Sequence, residues 1–162
     1  MKKIEVEIPD GKCAKWVNNV LTLVDDTPKD VRDRIKTLQD ACNELGDVHP
    51  FVRAYNGYAK NISEENKNDV DVLAFLKLRI ITAALNEGWE PQFEEGESRW
   101  YPWFTNKYGG LVFACAIGAG SYSYSFYGVR LAFKSKELAE YAGKQFIDIY
   151  KYFCYNNRLW KK

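Results

Sequence analysis

Ile4, Val6 and Ile8 alternate with Lys3, Glu5 and Glu7, the two-residue period of a half-buried strand, and Pro9-Asp10-Gly11 ends it. A second extended segment is expected between Trp16 and Val24, where Val20, Leu21, Leu23 and Val24 gather. The period then changes. Thr27 is suited to an N-cap, Pro28 to the first helical position and Asp30 to the third position of a capping box. Val31, Ile35, Leu38, Cys42 and Leu45 follow at helical spacing, and Gly46 closes the helix. The polar stretch 47–68 leaves room for a short helix near Phe51 to Tyr58. A second long helix is predicted from about Asp69 to Glu87. Its apolar residues, among them Val72, Phe75, Leu78, Ile81 and Leu85, cover most of its circumference, which marks a central or interface helix.

From Arg99 to Phe133 the pattern returns to strands. Arg99 to Phe104 leads into a turn at Asn106 to Gly110, and Leu111 to Ile117 is apolar on both faces, as a central strand would be. Gly118-Ala119-Gly120-Ser121 reads as a hairpin turn, after which Tyr122, Tyr124 and Phe126 alternate with serines. Ser135 caps a last helix carrying Leu138, Ala142, Phe146, Ile149 and Phe153 on one side. Strands and helices do not alternate strictly. The fold class is therefore α+β: an antiparallel sheet of about four to five strands, with two long central helices and a C-terminal helix packed mainly on one face. No linker or repeat divides the 162 residues, so 1–162 is read as a single domain.

Composition narrows the chemistry. Residues Cys13, Cys42, Cys115 and Cys154 show no metal-binding spacing and read as small buried hydrophobes in a reducing cytoplasm. Charges at Lys3, Glu5 and Glu7 interrupt any signal-like apolar run, and no stretch is long enough for a membrane helix. The single histidine, His49, precedes a proline and reads as a turn residue. Glu94, Glu95 and Glu97 lie in a Gly/Pro loop of solvated character, and Gly118-x-Gly120 lacks the lysine and following helix of a phosphate loop. No cofactor or metal is expected.

One asymmetry stands out. Residues 98–162 hold ten Lys/Arg against three Asp/Glu and 18 of the 25 aromatics, whereas residues 1–97 are net acidic. Rings beside cations suit base stacking on single-stranded nucleic acid, for which Arg99, Trp100, Tyr101, Trp103, Lys107, Tyr122, Tyr124 and Arg130 are the binding candidates if they share a face. The same rings suit a protein interface, since Trp and Tyr are enriched there. Arg79 and Arg130 sit within apolar runs and call for partners such as Asp71 or Asp148.

Residues 30–46 (DVRDRIKTLQDACNELG), 75–93 (FLKLRIITAALNEGWEPQF), 100–104 (WYPWF) and 128–153 (GVRLAFKSKELAEYAGKQFIDIYKYF) together resemble a family of small proteins from phages and prophages of gut Bacteroidetes. That resemblance implies a phage setting and transfers no catalytic residues. The expected function is a phage-type accessory or structural protein, non-enzymatic, acting by association with itself or with a phage or host protein through an aromatic-rich surface. It would work in the host cytoplasm or in the virion, without a membrane. The alternative is nucleic-acid or nucleotide binding by segment 98–162, and the third reading an enzyme with dispersed carboxylates.

Overall fold

A computed structural model of the chain describes residues 7–17, 19–25, 30–61, 69–92, 96–120 and 129–155. The fold is mixed α and β, with antiparallel strand pairing. Strands β1 (Lys12–Val17) and β2 (Val20–Asp25) form a hairpin that turns through Asn19, a residue type that tolerates its φ of 63°. The strand expected at Ile4 to Ile8 lies largely outside the described residues.

Of the Val31 to Leu45 stripe, Val31, Ile35 and Cys42 are buried and Leu38 and Leu45 are half-buried against the core, but two helices carry it. Asp30, rather than Thr27, caps α1 (Val31–Arg34), and its ion pair with Arg32 draws its carboxyl down to about 2. Thr37 then starts α2 (Leu38–Leu45) with a reciprocal capping box. Thr37 Oγ1 accepts from the Asp40 N–H at 3.1 Å, while the Asp40 carboxylate accepts from the Thr37 N–H at 2.8 Å. The interruption frees the carbonyls of Ile35 and Lys36, which accept from Tyr141 Oη and Gln145 Nε2, each at 2.7 Å. Arg34 bridges Glu44 and Glu87 at 2.9 Å each, and Lys134 reaches the other oxygen of Glu87 at 2.9 Å. These cations hold the Glu87 carboxyl below its usual range.

Pro50 opens α3 (Pro50–Asn61) at the position where its missing N–H costs nothing, and His49 Nδ1 accepts the Phe51 N–H at 3.2 Å. The central element is α4 (Val70–Asn86), which packs against α2, α3 and the last helix and buries Leu78, Ile80, Ile81 and Leu85 completely or nearly so. Burial of each such side chain is worth about 1.5–3 kcal/mol. At its C-terminal end the buried Asn86 amide donates to the Ala132 carbonyl at 2.8 Å and accepts from the Lys134 N–H at 3.1 Å, tying the helix to the segment before α5.

Strands β3 (Arg99–Lys107) and β4 (Gly110–Ala119) form the second hairpin, closed by Tyr108 and Gly109 at φ 54° and 77°. The register slips between Trp103 and Phe104, which pair with Cys115 and Phe113 and leave Ala114 unmatched. A 3-10 turn at Val129–Leu131 leads to Phe133, whose backbone exchanges two hydrogen bonds with Trp100 at 3.0 and 2.8 Å. Ser135 Oγ accepts from the Leu138 N–H and caps α5 (Lys136–Gln145); the expected single last helix breaks at Phe146, and α6 (Ile147–Cys154) follows.

The described strands thus make two separate two-stranded sheets, and the four-to-five-stranded sheet is not found among them. Gly118 is a strand residue of β4 covered by the Trp100 ring, not part of a turn. Of the cysteines, Cys42 is buried as expected, whereas Cys13 is half-buried and Cys115 and Cys154 are exposed. No helix of the described residues is long and apolar enough to cross a membrane.

Candidate functional site: the outer face of the second hairpin

Antiparallel pairing sorts β3 and β4 into two faces. Trp100, Pro102, Phe104, Phe113 and Ala116 point inward, and α5 lies against them. The approach is so close that a Cβ added at Gly143 of α5 would come within 2.5 Å of the Phe113 ring and 2.8 Å of Pro102. Tyr101, Trp103, Val112, Cys115 and Ile117 point the other way. Trp103 is 56% exposed, Val112 39% and Ile117 40%, so this apolar face is open.

An apolar groove of about 400 Å³ runs beside it, between the edge of β3 and α6, lined by Trp103, Phe104, Leu131, Tyr150 and Phe153. Its existence follows from strand alternation. Trp100 spends its outward N–H and C=O on Phe133, and the next outward position is Pro102, which has no N–H to leave unpaired. Leu131 and the α6 residues Tyr150 and Phe153 line the groove with that edge. Phe104 packs on Tyr150 with ring centroids 4.8 Å apart, and Phe153 stacks on Phe75 at 6.0 Å. Burial raises the Tyr150 phenol pKa, with Cys154 adding to it; the hydroxyl has no hydrogen-bond partner among the described residues.

The residues expected to bind do not all meet. Tyr101 and Trp103 share the open face, and Lys107 is exposed at the hairpin end. Trp100 faces inward and packs on the core. Arg99 is 1% exposed and donates from Nη2 to the Gly120 carbonyl at 3.2 Å, which makes it a structural residue of the hairpin base. Arg130 is exposed but lines a different cavity, and Tyr122 and Tyr124 lie outside the described residues. The stacking platform therefore loses Trp100 and two of its three cations. Ile117, Val112 and Cys115 join the face instead; the two-sided apolar pattern of β4 placed them in a sheet interior.

Arg79 has no carboxylate partner among the described residues: its guanidinium carbon sits 3.8 Å from the Phe51 ring centroid, and neither Asp71 nor Asp148 pairs with it. Among the described residues no cluster of three or more His, Cys, Asp or Glu is gathered as a metal site.

The chain matches no protein-family model, no curated protein and no solved structure.

Proposed function

We propose that the chain works as a binding module that associates with a second copy of itself, through the outer face of β3–β4 and the apolar face of β1–β2. The carrying observation is a pair of exposed apolar surfaces in one small protein. On the first hairpin, Ala14, Trp16, Leu21 and Leu23 share a face by register, with Trp16 74%, Leu21 43% and Leu23 44% exposed. A two-stranded hairpin alone is marginal in water, so this one gains from being covered. On the second hairpin the outer face exposes Trp103, Val112, Cys115 and Ile117 beside the neutral Thr105, with Lys107 the remaining candidate cation, which favours an apolar partner over a polyanion. A reciprocal two-fold pairing, in which each β1–β2 hairpin covers the other copy's β3–β4 face, would close at a dimer and leave neither surface open.

The setting we propose is that of a phage-encoded accessory or structural protein in the host cytoplasm or the virion, and it rests on the four sequence blocks alone. Sedimentation velocity over a concentration series, at low and high salt, tests the association. A dimer that persists in high salt and is lost in both Trp16→Glu and Trp103→Glu is the expected result. A monomer at every concentration would overturn the reading. Association that requires an added oligonucleotide and dissolves with salt would overturn it in favour of nucleic-acid binding.

A further inference from the structure

A second cavity, of about 390 Å³, lies between α3, α4 and the 3-10 turn, well away in chemistry from the apolar groove. Its lining is rich in hydrogen-bond donors. Arg79 and Arg130 both contribute, and the Arg79 guanidinium carbon sits 3.8 Å from the Phe51 ring centroid. Arg79 Nε is buried without a hydrogen-bond partner among the described residues. Thr82 lines the same cavity, is 3% exposed, and its Oγ1 also lacks a partner among the described residues. Buried polar groups are normally satisfied, so two orphans on one cavity point to a group that completes them. His49 spends Nδ1 as an acceptor for the Phe51 N–H, which leaves Nε2 as its N–H.

The charges agree with the donors. Burial lowers the pKa of Arg79 first, and the charge of Arg130 lowers it further, so two cations share the cavity at mutual cost. Against them stand Glu90, which also lines the cavity, and the C-terminal end of α4 at Asn86. Two guanidiniums outweigh one exposed carboxylate and a helix end. Trp89 adds a flat apolar wall.

We infer that this cavity is a binding site for a small phosphate monoester carrying a flat ring, of mononucleotide size. The guanidiniums and the Thr82 hydroxyl take the phosphate, for which forked donors are suited, and Trp89 takes the ring. The volume lies at the small end of the roughly 300–1,000 Å³ typical of ligand pockets, which suits one nucleotide and not a strand.

Calorimetric titration of the full chain with adenosine 5′-monophosphate, adenosine and inorganic phosphate tests this. The monophosphate should bind saturably, at least about tenfold tighter than either part, and weaken as salt rises. Arg79→Met keeps the packing on Phe51, and Arg130→Gln alters an exposed residue that the fold does not need; each should weaken binding about tenfold or more. Thr82→Val should weaken it by less and raise the melting temperature of the free protein, because it deletes an unsatisfied hydroxyl. Failure of the monophosphate to bind, or binding no tighter than phosphate alone, overturns the proposal. So does binding indifferent to Arg130→Gln, whose folding is not at risk.

Discussion

The two hairpins have the same architecture and opposite fates. Both are two-stranded, antiparallel and rich in apolar residues, yet β3–β4 has one face sealed by α5 and a third strand position held by Phe133, while Trp16, Leu21 and Leu23 of β1–β2 stay exposed. What separates them is the neighbour. Gly143 lets α5 come within side-chain contact of Pro102 and Phe113, and the Phe133 backbone caps the outward bonds of Trp100. Apolar content therefore marks where a partner is needed, and the fold decides whether that partner is internal.

Phe133→Ala removes a completely buried ring beside the Trp100 bridge and should cost about 3–5 kcal/mol, seen as a drop in the chemical-denaturation midpoint. Gly143→Ala sets two effects against each other. Alanine gains up to about 1 kcal/mol of helix propensity, but its Cβ would drive α5 off the hairpin, and overpacking costs about 1–3 kcal/mol. Because Pro102 cannot swing aside, the net should be destabilising, and the melting temperature should fall.

Acid sharpens the difference. Asp30, Asp40 and Glu87 have folded pKa values below their ordinary ones, owing to Arg32, to Thr37 with the backbone N–H groups, and to Arg34 with Lys134. Stability from such groups is present above the unfolded pKa, near 4 for carboxylates, and is lost as pH falls through the folded values. All three lie in the helical body, so denaturation midpoints should decline from about pH 5 toward pH 2, modestly because these groups are exposed. The smallest effect belongs to the open hairpin: Trp16→Ser should change the stability of the monomer by no more than about 0.5 kcal/mol while weakening association.

Much of the helical layer was legible in the sequence. The Val31 to Leu45 stripe, the α4 run and the Ser135 cap are local signals, and each falls where its period or capping chemistry places it. The break before Thr37 was also written locally, as Thr37-x-x-Asp40, but lies inside an unbroken apolar stripe that both helices share. The sheet was less legible. A strand with two apolar faces, such as Leu111 to Ile117, reads the same whether a second sheet layer or another molecule covers it. Long-range pairings had no sequence signal at all: Asn86 with Ala132 and Lys134, or Arg79 over Phe51, join positions that no spacing rule connects. Of the candidate site, Tyr101 and Trp103 were found by ring content, whereas alternation along β3 turned Trp100 inward.

Hydrogen exchange at the amides of Lys12–Val17 and Val20–Asp25, measured at low and high protein concentration, tests most directly whether a second copy covers the open hairpin. Exchange there should be fast when dilute and slow markedly when concentrated, with the Trp100 and Phe133 amides protected throughout. Exchange in the first hairpin that does not depend on concentration would contradict it.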